Sequence, residues 1–198
     1  MLVTPHPAIL AIYGLAFFAM GLAVAIRSIG YPPSQLRGRL WALAGFGLVH
    51  AVFEWLLLAE WASGQPVAVP ITQGIAALSF LLLYWFALGG LKIFRGLFLL
   101  VVGASLAAWF AVALPGNNIG VLELVTRWGI GIPASLIAAL AFAFDTSLRA
   151  AGHRRPVPVL IAAFCFALYG VSQTIPGADN RLPAAIFNAA DFEALVGF

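Results

Sequence analysis

Charge is what this sequence has least of. Ten lysines and arginines and seven aspartates and glutamates leave only 9% of its 198 residues charged, against 63% hydrophobic. Soluble domains carry about 25% charged and about 45 to 50% apolar residues. So few charges cannot cover a chain of this length in water, which excludes an ordinary soluble globular domain. The bases sit in small groups between apolar runs, so the net charge of +3 forms no contiguous patch, and no nucleic-acid partner is expected. The only cysteine, Cys165, excludes an intramolecular disulfide and reads as a small core residue. The opening MLVTPHP has neither lysine nor arginine, and the apolar run behind it is too long for a signal-peptide core. The first run is therefore expected to be a retained span. Internal repeats, low-complexity tracts and linkers are also lacking, so 1–198 reads as a single domain.

What the chain does have is long apolar runs. A helix needs about 20 such residues to cross a hydrocarbon layer of about 30 Å. Six segments qualify, at 8–27, 40–61, 71–91, 93–114, 121–148 and 157–176, with proline and glycine in most of the gaps. The expected fold class is all-α, a polytopic transmembrane helix bundle of six spans whose first partner is the lipid bilayer.

Orientation follows from the basic residues, which are retained on the cytoplasmic side of short loops. Arg27, Arg37 and Arg39 flank the first connection, Lys92 and Arg95 the third, and Arg149, Arg154 and Arg155 the fifth. The connections around Gln65 and Asn117 hold none. Odd connections are thus expected in the cytoplasm and both chain ends outside it. Trp41 and Trp61 bracket the second span about 30 Å apart, as interfacial anchors would. Asp145 and Arg149 are spaced for a structural i,i+4 pair where the fifth span leaves the membrane.

Ionisable side chains inside spans are costly and are functional candidates by default. His50 and Glu54 lie four residues apart on one helix face. By rise per residue, Glu54, Arg127 and Tyr169 come to a common depth of about 10 Å below the outer boundary. The expectation is an outer-leaflet polar pocket in which Arg127 neutralises Glu54, with His50, Tyr169 and Gln173 supplying further hydrogen bonds. A buried ion pair with a satisfied histidine, holding the bundle together without a ligand, is the structural alternative. His6 lies at the outer end and His153 in a cytoplasmic loop, so no second intramembrane histidine completes a metal or haem site. No cofactor is expected. Gly129, Gly131 and Pro133 form either a hinge beside Arg127 or a close-packing surface. In the segment 178–198, Asn188 and Asp191 are spaced as a helix N-cap and its third-position acid. Phe192, Leu195 and Val196 would give that helix an apolar side, lying on the outer interface or opening a further span.

The stretches YGLAFFAMGLAVAIRS, LWALAGFGLVHAVFEWL, RWGIGIPASLIAAL, FALYG and LPAAIFNAADFEALVGF together resemble the N-terminal multi-span sensory region of bacterial sensor histidine kinases and diguanylate cyclases. The informative positions are His50, Glu54 and Trp55, then Arg127, Gly131 and Pro133, then Tyr169, then Asn188 to Phe192. The resemblance implies signal transduction of the two-component kind, with a seventh helix after Phe198 leading into a cytoplasmic output module. It places Asn188 with the pocket residues. No kinase or cyclase motif is present, so no enzymatic activity is expected of this chain. It would be either a fragment or a stand-alone relative, with a homodimer as a candidate assembly. The competing class is a small transporter or channel, which intramembrane charges and a proline-broken helix also mark.

Overall fold

In a computed structural model of the full chain, residues 7–32, 34–65, 67–91, 95–113, 119–145, 147–148 and 157–174 are described. They are all-α, with no strand among them. The helices are α1 (Pro7–Ile29), α2 (Gln35–Ser63), α3 (Val69–Leu88), α4 (Arg95–Ala113), α5 (Ile119–Leu124), a π-helical segment (Val125–Gly131), α6 (Ile132–Phe144) and α7 (Val157–Ser172). Four stretches are long and apolar enough to cross a membrane: Pro7–Ile29, Gln35–Ser63, Val69–Leu88 and Gly120–Phe144. Two shorter apolar helices, Leu99–Ala113 and Val157–Ser172, accompany them. This composition is compatible with a multi-pass membrane protein.

Local chemistry explains the boundaries. The Ser34 hydroxyl accepts from the Arg37 backbone N–H at 3.3 Å, so α2 starts five residues before its apolar run. No proline interrupts α2 before Gly64, whose φ of 64° ends it while its N–H bonds the Glu60 carbonyl at 2.9 Å. The Glu60 carboxylate then accepts from the Val67 N–H at 2.8 Å, closing the turn into α3. Pro70 opens α3, where its missing N–H costs no helical bond.

Packing runs α1 on α2, α2 on α3, α3 on α6 and α6 on α7, with α4 against the π segment. The approach of α1 to α2 is close: a Cβ on Gly47 would stand 2.7 Å from the Phe17 carbonyl oxygen and 2.9 Å from Gly21. The core is formed by Phe46, Phe80, Leu83, Phe86, Ile130, Ile137 and Phe142, with alanines of α6 between them.

At one end of the bundle, Arg39 clasps three helices. Its Nε donates to the Phe86 carbonyl at 2.9 Å, its Nη1 donates to the Ser147 hydroxyl at 3.4 Å, and its Nη2 ion-pairs with Asp145. The guanidinium also lies 5.4 Å from the Phe86 ring centroid, within cation–π range. Gly89 and Gly90 leave the room this needs, because a Cβ on either would collide with Arg39. Asp145, expected to pair with Arg149, thus has a partner on another helix. The helix has ended at Phe144, and Asp145 is extended at φ −72° and ψ 112°, so helical spacing no longer applies to it. Arg149 itself, with Lys92, Arg154 and Arg155, lies outside the described residues, as does the segment 178–198 with Asn188, Asp191 and its apolar side. Burial disfavours ionisation of Asp145, but the Ser147 hydroxyl, the Arg39 guanidinium and the Ser147 N–H together outweigh it. The carboxyl is held below its ordinary range.

Candidate functional site

The opposite end holds a cavity of about 470 Å³, within the range of small-molecule sites. It lies between the start of α1, the end of α2, the starts of α3 and α5, the π segment and the end of α7. Of the residues singled out in the sequence, His50, Glu54, Arg127, Tyr169 and Gln173 all line it.

His50 is the fixed centre. It is 2% exposed, and its ring is held among Phe17 (4.5 Å between centroids), Phe46 (5.4 Å), Phe53 (5.4 Å), Phe80 (5.4 Å) and Tyr169 (5.6 Å). Ser79 Oγ lies 2.9 Å from His50 Nδ1 and donates its one proton to the Ala76 carbonyl at 2.7 Å. It can therefore only accept from the imidazole, which places a proton on Nδ1. The other nitrogen, Nε2, faces the Tyr169 hydroxyl at 2.6 Å. In a neutral ring Nε2 is the acceptor and the Tyr169 O–H donates to it. Gln173, just past the end of α7, lines the same cavity.

The Glu54 carboxylate lies 3.6 Å from His50 Nε2, and its side chain is 12% exposed. Arg127 does not reach it. Its ion pair among the described residues is with Glu123, one turn earlier on the same helix, at 3.5 Å. The depth argument set Arg127 and Glu54 at one level, and both line the same cavity. What it omitted was an acid closer to Arg127 on its own helix, where i,i+4 geometry costs no tertiary adjustment.

The Gly129, Gly131 and Pro133 stretch takes a defined form. Residues 125–131 are π-helical, and the Ile132 N–H bonds back to the Arg127 carbonyl, five residues earlier. Pro133 follows at the start of α6 with no N–H to continue the ladder, so the wide turn sits where the α-helical bond is already missing. Gly131 faces Phe80, whose Cζ would be 2.9 Å from a Cβ there, whereas a Cβ on Gly129 would meet only Val125 Cγ1 at 3.4 Å. Thr126, inside the π segment, accepts from Trp109 Nε1 at 2.9 Å and donates to the Leu122 carbonyl at 2.8 Å, tying α4 to this turn.

Sequence reasoning missed Ser79, Gln73, Glu123 and Thr126. The first, second and fourth are polar but not ionisable, so no charge marks them within apolar runs. Glu123 sits in the first turns of its helix and reads as a boundary residue. Its signal was available, four residues before Arg127.

No protein-family model, curated protein or solved structure matches this chain.

Proposed function

We propose that this chain is the membrane-embedded input domain of a bacterial signalling protein, crossing the cytoplasmic membrane six times with its N-terminus outside and sensing a small molecule in the outward cavity. The observation that carries the proposal is the cavity itself: a buried imidazole in a fully assigned hydrogen-bond set, beside two carboxylates and a guanidinium, at the end of the bundle opposite the Arg39 clasp.

Six crossings are favoured because α4, with 19 residues, extends about 28 Å at 1.5 Å per residue. α7 completes the cavity from the other flank. The orientation is supported by the basic residues of the odd connections. Arg39 is neutralised by Asp145, but Arg27, Arg37, Lys92, Arg95, Arg149, Arg154 and Arg155 still favour the same side. A sensor needs two states that its stimulus distinguishes. The π segment is a suitable element, since it lies between the cavity and α6, whose far end reaches the clasp. A cytoplasmic module would receive the change at that end.

The test compares hydrogen exchange of the wild-type chain and its Glu54→Gln variant in lipid nanodiscs. Altered protection of the amides of Ala141 to Leu148, at the clasp end, is the expected result. Unchanged protection there, together with solute flux through the chain in proteoliposomes, would instead identify a transporter.

A further inference from the structure

The cavity does not balance its charges. Glu123 and Arg127 pair with each other at 3.5 Å. Among the described residues, Glu54 has no lysine or arginine within ion-pair distance, and no N–H or O–H donates to it. Its one charged or polar contact is His50 Nε2 at 3.6 Å. That nitrogen is already occupied by the Tyr169 hydroxyl at 2.6 Å. A largely buried carboxylate without a cation or a donor is costly, and beside a neutral His50 the adjoining cavity is the side from which a cation can reach it.

The walls suit an organic cation better than a hydrated metal ion. Tyr13, Phe53, Phe80 and Tyr169 border the same space, and aromatic faces attract an ammonium group while accommodating its apolar body. The Arg127 guanidinium also lines the space but pairs with Glu123 at 3.5 Å, so an ammonium group set against Glu54 meets no unpaired cation.

Resting on the proposal that this cavity is a ligand site, we infer that it takes a small primary amine with an aromatic or aliphatic body, whose ammonium group ion-pairs with Glu54. Gln73 and Gln173, which also line the space, offer amide oxygens for the remaining ammonium protons.

The experiment is calorimetric titration of the full chain in nanodiscs, with empty nanodiscs as the baseline for lipid partitioning. Three probes share one phenylethyl body and differ in the charge and kind of the end group: phenethylamine, 2-phenylethanol and hydrocinnamate. Phenethylamine is expected to bind saturably and at least about tenfold more tightly than 2-phenylethanol, the scale of one charge-assisted contact. Glu54→Gln, which keeps the shape, should bring the two to equal affinity. Equal affinity of amine and alcohol for the wild-type chain would overturn the inference, as would an amine preference that survives Glu54→Gln. A preference for hydrocinnamate that Arg127→Ala removes would also overturn it, while leaving the cavity a ligand site and the sensor proposal standing. Absence of binding by all three probes overturns the amine assignment alone, since the exchange comparison of wild type and Glu54→Gln judges the sensor proposal separately.

Discussion

The Tyr169 hydroxyl lies 2.6 Å from His50 Nε2, joining α7 to α2 across 119 positions of sequence. Ser79 binds the opposite nitrogen at 2.9 Å, so one imidazole links three helices and has no spare valence. This arrangement holds the cavity wall in one geometry, and it makes the histidine's proton placement a structural quantity.

That placement is directly measurable. Nitrogen-15 imidazole shifts of the chain in lipid should report a neutral His50 carrying its proton on Nδ1. A signal from the Nε2-protonated tautomer would mean that Ser79 donates to the ring and that the Ala76 carbonyl goes without it.

Removing the hydroxyl leaves Nε2 buried without a donor, which costs about 1 to 3 kcal/mol. Tyr169→Phe should lower the unfolding free energy by that amount in a reversible denaturant titration from mixed micelles, with the helix content of the folded state unchanged. A loss below about 0.5 kcal/mol would show that water readily replaces the tyrosine.

The two ends of the bundle differ in how far sequence alone revealed them. His50, Glu54, Arg127, Tyr169 and Gln173 were legible because charge and hydrogen-bonding groups are rare inside apolar runs and because depth follows from rise per residue. Pairing was less legible. Arg39 reads as one more loop arginine in a cluster, yet it is 6% exposed, because Gly89 and Gly90 open a space that only tertiary packing reveals. Helical spacing points Asp145 to Arg149, which lies outside the described residues, and it could not reveal Arg39, the partner that another helix brings to the acid. The π segment was visible only as a conflict, with two glycines and a proline in a run otherwise long enough to span. Ser79 was invisible, since nothing but its neighbour His50 gives a lone serine a role.

The Arg39 clasp makes a second prediction, about stability. Breaking a buried ion pair from one side costs about 3 to 5 kcal/mol because the remaining charge is stranded, whereas replacing both partners by apolar residues of similar size is often neutral. Arg39→Met and Asp145→Leu should each destabilise the chain strongly, and the double variant should recover most of the loss. Additive losses in a denaturant titration would show that the clasp is not a coupled unit. Acidification tests the same contact. The folded Asp145 carboxyl lies below its ordinary value, so its contribution is fully present above about pH 3.9, the unfolded carboxylate value. It declines only as pH falls through the lower folded value. The acid-induced loss of stability should therefore be smaller in Asp145→Asn than in the wild type.

The glycines of the π segment separate a hinge from a packing surface. Gly131→Ala would drive a methyl group to 2.9 Å from Phe80 Cζ, and Phe80 cannot yield freely because it packs against His50 at 5.4 Å. Overpacking of this kind costs about 1 to 3 kcal/mol. Gly129→Ala meets only Val125 Cγ1 at 3.4 Å, an ordinary contact, and alanine favours helix over glycine by about 1 kcal/mol. Stability should therefore fall in the first variant and hold or rise in the second, read from paired unfolding curves. If freedom of the backbone is what residues 125–131 supply, the signalling response at Ala141 to Leu148 should weaken in both variants alike. A loss confined to Gly131→Ala assigns the segment to close packing, with the wide turn serving to aim Arg127 and Thr126 at the cavity.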